Sequence, residues 1–358
     1  MAELDKYLRK MCELGGSDLH LQTGMVPKVR KSGDLLPIEG EPILDKGQVD
    51  ALLTSICPEA KYEFFKENLD LDFAYEIEGL SRFRCNYMNT VHGAGAVFRT
   101  IPTEILTLEQ LKLPEVFKDV CAYDKGLVLV TGPTGSGKST TLAAMINYIN
   151  ENYTKHIITI EDPLEFVHPN KKSVIVQREV GEHTQSFNNA LKGAMRADPD
   201  IVLVGEMRDP ETIKLALSCA AMGLMVFGTL HTNNAPKTID RVIGAFPSEE
   251  QSQIRAMLAE TLVGVISQLL CKTTDGKRCA AHEILLKHDA LPNLIREGQL
   301  NNIRNVIESS SAMGMQGMDG TLQRLFKEGR ISAVEAYMKA ADKTMFQDHL
   351  PADFFDED

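Results

Sequence analysis

The alternation of apolar and polar side chains changes along the chain and predicts two domains of different architecture. Residues 2–14 repeat apolar side chains at helical spacing, and short segments of strand-like alternation follow, with one helix expected around residues 46–67. Strands of this kind are half-buried, so the pattern predicts an α+β domain with antiparallel strands. The strand-like segments are SDLHLQT, PKVRKSG, LDFAYEI, SRFRCNYM and GAGAVFRTI.

From Lys125 onward, the apolar runs become nearly continuous and are separated by amphipathic helical stretches. Strands buried on both faces have this pattern, which predicts a mostly parallel sheet with helices on both sides. The runs are GLVLVTG, HIITIED, SVIVQ, DIVLVGE and MVFGTL. After Pro247 the pattern predicts a helix over residues 248–270, a β-hairpin around residues 271–286 and further helices to about residue 343.

The length of the chain, 358 residues, exceeds what one compact core usually holds and therefore also favours two domains. We predict an α/β protein overall, with an N-terminal domain over residues 1–102 and a linker over residues 103–113. The second domain is predicted over residues 114–345, and an acidic tail over residues 346–358.

The charge and the apolar composition narrow the class of partner. A net charge of −12 argues against duplex DNA or RNA, because such binding relies on many contacts from lysine and arginine to phosphate. The longest uncharged run, Leu215–Leu230, is shorter than the roughly 20 residues of a membrane helix. The charged N-terminus lacks the apolar segment of a secretory signal. We therefore expect a cytosolic protein that binds no nucleic acid and is not embedded in a membrane.

Residues 132–139, GPTGSGKS, match the phosphate-binding pattern GxxxxGK[ST] and lie between a predicted strand and a predicted helix. Glycines let backbone N–H groups converge on phosphate oxygens, Lys138 can reach the β- and γ-phosphates, and the Ser139 hydroxyl can bind Mg²⁺. This segment, the P-loop, therefore predicts a site for ATP and Mg²⁺. Its candidate nucleotide-binding residues, with the next residue of the helix, are Gly132, Pro133, Thr134, Gly135, Ser136, Gly137, Lys138, Ser139 and Thr140.

Hydrolysis also needs carboxylates that orient Mg²⁺ and the attacking water, and two apolar strands end in acidic residues. The strand DIVLVGE ends at Glu206. The segment IITIEDPLE carries Glu161, Asp162 and Glu165. Because ligands bind beyond the carboxyl ends of parallel strands, we expect these carboxylates to face the nucleotide. The strand VFGTL leads to His231, which is either structural or in contact with the γ-phosphate.

Four long blocks occur in the order that is typical of one ATPase superfamily. GPTGSGKST, IITIEDPLEFVH, DPDIVLVGEMRDPETI and FGTLHTNNAPKTIDR resemble the Walker A, Asp box, Walker B and His box of the type II/type IV secretion ATPases. Further segments are similar to the PilT-type pilus retraction ATPases of that superfamily, and the similarity extends from residue 1 to about residue 343. These segments are GGSDLHL, RFRCNYMNTVHGAGAVFRTIP and GMQGMDGTLQRLFKEGRIS.

The resemblance implies a PAS-like N-terminal domain, a RecA-like ATPase domain with C-terminal helices, and assembly into a homo-hexameric ring. It also implies that the ring docks on an inner-membrane pilus platform protein at the cytoplasmic face of that membrane. ATP hydrolysis there would power type IV pilus retraction and twitching motility. In this family ATP lies between the two domains and near the neighbouring subunit, with the linker as the hinge.

Roles for individual residues of this sequence also follow from the resemblance. Glu206 is the Walker B carboxylate and would hold Mg²⁺ through water, beside Ser139 as the direct ligand. His231 is the His-box residue. The Asp box supplies the carboxylate that activates water; we favour Glu165 for this role, and Glu161 is the alternative.

Arginines of the N-terminal domain are similar to those that neutralise phosphate charge in such rings. Arg82 and Arg84 are two apart on a predicted strand and so share a face, and Arg99 lies on the next strand. Phosphoryl transfer needs positive charge at the γ-phosphate, so we predict this role for them, with ordinary surface arginines as the alternative. Arg208 and Arg241 are further candidates.

One segment departs from the retraction family. Its members commonly carry AIRNLIRE in the C-terminal helices, whereas this chain has ALPNLIRE, with Pro292 in place of the arginine. A proline should start or kink the helix at this position. The change leaves an auxiliary retraction paralogue as an alternative to the main retraction motor.

Three other functions compete with pilus retraction. A pilus assembly or type II secretion ATPase usually carries a four-cysteine zinc module, whereas the seven cysteines of this chain lack that spacing. A RecA-like helicase is disfavoured by the net charge of −12. A regulatory subunit that binds ATP without hydrolysing it is disfavoured by the intact carboxylates.

Overall fold

The computed structural model describes residues 2–31, 33–101, 104–351 and 354. These residues form two compact units, Met1–Glu104 and Ile105–Asp358. Pro102 and Thr103, where we predict the end of the first domain and the start of the linker, lie outside the described residues. Four acidic side chains of the predicted tail also lie outside them: Asp353, Asp356, Glu357 and Asp358.

The first unit is an α+β unit with one antiparallel sheet of six strands among the described residues. Its helices are α1 (Asp5–Glu13), α2 (Lys46–Thr54) and α3 (Glu59–Asn68). Its strands are β1 (Asp18–Gln22), β2 (Lys28–Lys31), β3 (Asp34–Pro37), β4 (Asp70–Ile77), β5 (Ser81–Thr90) and β6 (Gly93–Ile101). The strand order in the sheet is β3-β2-β1-β6-β5-β4.

Alternation along β5 separates a core face of this sheet from a polar face. Phe83 and Tyr87 are fully buried, whereas Arg82 and Arg84 point to the other face. The amphipathic helix α1 covers the core face and contributes Leu8 to the same apolar cluster. The α+β pattern predicted for this part of the chain is therefore confirmed.

Two details of the first unit differ from the prediction. The single helix predicted over residues 46–67 is two helices, because Pro58 stands at the N-cap of α3. A proline inside a helix lacks the N–H donor and clashes with the preceding turn, so the chain ends one helix and begins another. The strand β3 was not predicted, because all four of its residues are exposed and leave no half-buried alternation.

The second unit contains a seven-stranded sheet and the remaining described helices. The strands are β7 (Gly126–Thr131), β8 (His156–Glu161), β9 (Val174–Glu179), β10 (Ile201–Val204), β11 (Met225–Leu230), β12 (Leu262–Lys272) and β13 (Arg278–Leu286). The helices are α4 (Val116–Cys121), α5 (Lys138–Asn152), α6 (Phe187–Ala194), α7 (Pro210–Ala221), α8 (Ala235–Gly244), α9 (Ser248–Thr261), α10 (Leu291–Arg296), α11 (Ile303–Ser309), α12 (Met318–Lys327), α13 (Ala333–Lys339) and α14 (Thr344–Gln347).

The strands of the second sheet run in the order β13-β12-β7-β11-β10-β8-β9, and all neighbouring pairs are parallel except β12 with β13. Every residue of β7, β10 and β11 is buried. Burial of both faces explains why these strands are continuous apolar runs in the sequence. The mostly parallel sheet predicted from those runs is confirmed, and with it the α/β class.

The helix predicted over residues 248–270 is wrong in its second half. The helix α9 ends at Thr261, and the chain continues as β12, which pairs with β7. The run LVGVISQ of this strand is buried at every residue and is rich in β-branched side chains. Such a run has neither helical nor strand periodicity. Because it follows a clear helix without a break, the pattern predicts a continuation of that helix. The hairpin therefore begins at Leu262, not near residue 271.

The C-terminal helices α12 to α14 enclose a separate apolar cluster against the hairpin β12–β13. Cys271 and Cys279 face each other across that hairpin and belong to this cluster, together with Leu322 and Phe346. Across the part of the chain that the structure describes, no helix combines the length and the hydropathy of a membrane span.

Candidate functional site

Four neighbouring parallel strands, β7, β11, β10 and β8, end at the same edge of the second sheet. The P-loop follows β7, and His231 follows β11. Glu206 lies just past the end of β10, and Glu161 is the last residue of β8. The structure therefore brings the P-loop, both acidic clusters and the histidine to one edge, as ligand sites of parallel sheets require.

The P-loop carries backbone conformations that favour glycine and a polar atom that lacks a partner. Gly137 is the N-cap of α5 with a φ of 85°, and Gly132 has a φ of 149°. The hydroxyl of Ser136 is buried and has no hydrogen-bond partner among the described residues. Because buried polar groups are nearly always hydrogen-bonded, this hydroxyl is suited to form a hydrogen bond with a phosphate oxygen of a ligand. The exposed tip of the loop is Pro133, Thr134 and Gly135.

Lys138 lies over the P-loop at the place where phosphates would bind. Its Nζ donates to the carbonyl oxygen of Gly132 at 2.8 Å and to that of Pro133 at 3.1 Å. Burial lowers the pKa of Lys138, while the charges of Glu206 and Glu165 act in the opposite direction. Among the described residues, the ammonium group thus has only neutral carbonyl partners at hydrogen-bond distance, and anionic phosphate oxygens would bind it more strongly.

Glu206 and His231 are in direct contact. Oε1 of Glu206 accepts from Nε2 of His231 at 2.9 Å and forms an ion pair with Nε of Arg208. Burial alone would raise the pKa of Glu206, but the hydrogen bonds from Arg208 and His231 lower it overall. Arg208, a candidate for neutralising phosphate, therefore binds a carboxylate here. Arg241 is exposed on α8.

A small cavity of about 40 Å³ lies between the start of α5 and the end of β8. Ser139, Glu161 and His168 line it, and the hydroxyl of Thr159 donates to Oε1 of Glu161 at 2.7 Å. Hydroxyl and carboxylate oxygens are the ligands that Mg²⁺ prefers, so the residues present fit this ion. Glu165 is exposed in the segment that follows β8, as is Asp162.

The carboxyl of Glu161 is strongly perturbed. Burial raises its pKa from an ordinary value of 4.5 to about 7, against the lowering effect of hydrogen bonds from Thr159 and Gln177. The unfolded chain releases this proton near pH 4.5, whereas the folded protein keeps it until about pH 7. Folding therefore binds a proton in this window, and the resulting stabilisation falls as pH rises from 4.5 to about 7.

We expect Glu161→Gln to remove this pH dependence from the nucleotide-free protein. Across the window, the free energy of unfolding of the wild type should fall by up to about 3 kcal/mol relative to the variant. Urea unfolding of both proteins without Mg²⁺, at several pH values in the window, measures the difference. Parallel pH profiles of the two proteins would contradict the burial of this carboxyl.

A larger cavity of about 710 Å³ opens beside the first turn of α5. Its lining includes Gly137 and Thr140 beside the P-loop and the leucines Leu106, Leu113 and Leu270. Its volume lies within the range of small-molecule sites, and its leucine side chains suit the flat face of a base. The described part of the predicted linker therefore helps to form a cavity that continues from the P-loop.

One residue of the site, Gln268 on β12, was missed by sequence analysis. Its Nε2 donates to the carbonyl oxygen of Ser136 at 2.6 Å, and its Oε1 accepts from the hydroxyl of Thr141 at 2.8 Å. Because β12 pairs directly with β7, this side chain lies beneath the P-loop. The sequence indicates this residue only by a polar glutamine inside the apolar run LVGVISQLL. Because we predicted a helix for that run, the glutamine was not placed on a strand beside the P-loop.

The three arginines predicted to neutralise phosphate lie on the polar face of the first unit's sheet. Arg84 of β5 and Arg99 of β6 are directly opposite in register, and Arg82 shares the face of Arg84. Nε of Arg99 donates to Asp18 at 2.8 Å, and Nε of Arg84 lies 3.6 Å from Oδ1 of Asp72. The structure brings the three side chains to one surface, and their role toward phosphate stays a prediction.

Comparison with known proteins agrees with this arrangement. The family model of type II/IV secretion system proteins matches residues 67–347. The chain is 50% identical over 338 residues to the type IV pilus retraction ATPase PilT of Pseudomonas aeruginosa, an alignment that covers 94% of this chain and 98% of that protein. It is 51% identical over 315 residues to a twitching motility protein of Neisseria gonorrhoeae, with 88% of this chain and 84% of that protein covered.

A solved structure is similar along almost the whole chain. The crystal structure of the pilus retraction motor PilT with bound ADP aligns with this chain at a TM-score of 0.91 and 41% sequence identity. The alignment covers 97% of this chain and 99% of the PilT chain. The chain therefore belongs to the family of type II/IV secretion system proteins and, within it, to the PilT-type pilus retraction ATPases.

Proposed function

We propose that this chain is an ATP-hydrolysing motor that powers type IV pilus retraction and hence twitching motility. The observation that carries the proposal is the meeting of the P-loop, the Glu206–His231 pair and Glu161 at one sheet edge. This arrangement occurs in a chain that is half identical to a retraction ATPase over nearly its whole length. Binding, positioning and charge stabilisation of the phosphates are what phosphoryl transfer asks of a protein.

ATP would bind with its phosphates on the P-loop and its base in the larger cavity. Lys138 would exchange its two carbonyl partners for the β- and γ-phosphates, and the free hydroxyl of Ser136 would gain a phosphate partner. Ser139 would hold Mg²⁺ directly, and Glu206 would act through water, as would Glu161, which lines the same small cavity as Ser139. Mg²⁺ supplies charge neutralisation at the phosphates when it is bound.

Glu165 is our proposed base for the attacking water. It is exposed beyond the end of β8, and its charge acts on the Lys138 ammonium, so it lies near the place of the phosphates. Glu161 is the alternative, because a carboxyl with a pKa of about 7 is well matched to proton transfer at neutral pH. His231 would sense the γ-phosphate through its hydrogen bond to Glu206.

The assembled state in this proposal is a homo-hexameric ring at the cytoplasmic face of the inner membrane, docked on a pilus platform protein. The support for the ring and the platform is the family resemblance. Arg82, Arg84 and Arg99 would supply positive charge to phosphate within the ring, since they share one sheet face on which Arg84 and Arg99 are exposed. Work requires that ATP and ADP favour different arrangements of the ring.

The substitution at Pro292 bears on the alternative of an auxiliary retraction paralogue. Pro292 stands in the first turn of α10, which runs from Leu291 to Arg296. A proline is tolerated there because the N–H groups of the first turn have no partner within the helix. The segment therefore remains helical up to Arg296, so Pro292 removes the arginine side chain without breaking the helix.

Deletion of the gene from its host, with counts of surface pili, tests the proposed function. We expect an excess of pili that no longer retract, because assembly continues without disassembly. Loss of pili would contradict retraction and indicate an assembly ATPase. An unchanged number of pili with normal retraction would contradict a main motor and indicate the auxiliary role.

A further inference from the structure

Three buried polar side chains form a group beneath the P-loop. Gln268, His282 and Thr141 are each about 2% exposed, so water does not compete for their hydrogen bonds. They come from three elements, the neighbouring strands β12 and β13 and the helix α5. Polar side chains buried this deeply destabilise a fold unless all of their hydrogen bonds are made.

The hydrogen bonds of this group allow one arrangement of protons. A backbone carbonyl can only accept, so the atom of Gln268 that lies 2.6 Å from the Ser136 oxygen is the amide nitrogen. The amide oxygen then faces both Thr141, at 2.8 Å, and His282, at 3.0 Å. Because that oxygen can only accept, Nε2 of His282 carries the proton. Burial lowers the pKa of His282 to about 3, so the imidazole is neutral.

His282 is itself held in place from the other side. Its carbonyl oxygen accepts from the hydroxyl of Thr321 on α12 at 2.8 Å and from Nε2 of Gln316 at 3.1 Å. Its ring packs edge-on against Phe117, with 5.2 Å between the ring centroids. A ring with so little freedom directs its Nε2 proton at one place, the amide oxygen of Gln268.

Backbone contact between β12 and the P-loop is equally close. A Cβ atom at Gly132 would lie 2.3 Å from the carbonyl oxygen of Gln268. Ser136 immediately precedes Gly137, the N-cap of α5, and Thr141 lies in the first turns of that helix. Gln268 therefore holds two points on either side of the helical turn whose N–H groups face the phosphates.

We propose that Gln268 is a positioning residue for nucleotide binding, which clamps the P-loop to the first turn of α5 and is itself oriented by His282. This group of Gln268, His282 and Thr141 is the P-loop clamp. It does not touch phosphate; it keeps the loop open and the N–H groups aligned before nucleotide arrives. The inference rests on the proposed function, because it concerns the site that would bind ATP.

Gln268→Met tests the clamp, since methionine keeps the length and volume of the side chain but forms none of the hydrogen bonds. We expect the affinity of the full chain for ADP to fall by about tenfold or more, measured by calorimetry. Ser267→Ala is the matched control, because it removes a buried hydrogen bond between β12 and Thr131 of β7 without touching the clamp. This control should bind ADP within about twofold of the wild type.

A second pair of variants separates positioning from general stability. Thr141→Val removes one hydrogen bond to Gln268, whereas Thr141→Ser keeps the hydroxyl and should restore wild-type affinity. A merely structural role would lower the midpoint of thermal unfolding in all variants and leave the ADP affinity of the folded protein unchanged. If Gln268→Met does not fold, the comparison of Thr141→Val with Thr141→Ser decides the proposal.

Lys138→Ala distinguishes failure of the clamp from failure of the proposed function. Wild-type ADP affinity in both Gln268→Met and Thr141→Val, with weak binding by Lys138→Ala, would overturn the clamp alone. Undiminished binding by Lys138→Ala would overturn the nucleotide site itself. Weak binding by Lys138→Ala and Gln268→Met, with a normal Ser267→Ala control, is the result that the clamp predicts.

Discussion

Replacing Lys138 by alanine will abolish ATP hydrolysis. The variant loses an ammonium group that lies over the P-loop, where it now bonds to the carbonyl oxygens of Gly132 and Pro133. Removal of a single preorganised donor at developing charge costs about 10²- to 10³-fold in rate, and here binding is weakened as well. Phosphate release by the purified protein with saturating Mg²⁺ and ATP measures the loss.

Lys287→Ala is the control for this variant. Lys287 is exposed and follows β13, whose last residue pairs with Gly264 near the start of β12, at the sheet edge opposite the P-loop. The Lys287→Ala variant should hydrolyse ATP at the wild-type rate. That result would show that the loss of one positive charge does not by itself explain the loss of hydrolysis in Lys138→Ala. Normal ATP turnover by Lys138→Ala would contradict the assignment of the P-loop as the site that binds the phosphates of ATP.

Glu165→Gln will bind ATP but hydrolyse it about 10²- to 10⁴-fold more slowly, the range for loss of a general base. Glutamine keeps the shape of the side chain and removes its capacity to accept a proton. The charge of Glu165 also acts on Lys138, so removing it changes the electrostatics without removing a phosphate ligand. Single-turnover hydrolysis with a separate measurement of ATP affinity separates the two steps.

Glu161→Gln is the matched comparison for Glu165→Gln, because both change one Asp-box carboxylate to its amide. If Glu165 is the base, Glu161→Gln should weaken the Mg²⁺-dependent binding of ATP more than it slows the hydrolysis of ATP that is already bound. An unimpaired rate in Glu165→Gln would move the role of base to Glu161 or Glu206.

Most of the site could be predicted from sequence because its chemistry sits at the ends of fully buried strands. The runs before the P-loop, Glu161, Glu206 and His231 are apolar and short, and parallel pairing necessarily aligns their carboxyl ends. The contact of Glu206 with His231 could not be predicted, since it depends on β10 and β11 being neighbours.

The rest of the site depends on an element that has no periodicity. The strand β12 is buried at LVGVISQ and follows a helix without a break, so neither its type nor its place beside β7 could be read from the pattern. Because that strand was not predicted, Gln268 was not recognised as a residue of the site. Likewise, the sequence puts Arg82 and Arg84 on one face, but the pairing of Arg84 with Arg99 depends on the register of β5 with β6.

If ATP bound at the P-loop drives pilus retraction, variants of the P-loop must change retraction of labelled pili on living cells. Cells that lack the gene are supplied with the wild type, Lys138→Ala or Lys287→Ala at equal protein levels, and retraction events per cell are counted. We predict that the wild type and Lys287→Ala restore retraction and that Lys138→Ala restores none. Equal restoration of retraction by Lys138→Ala would contradict the account.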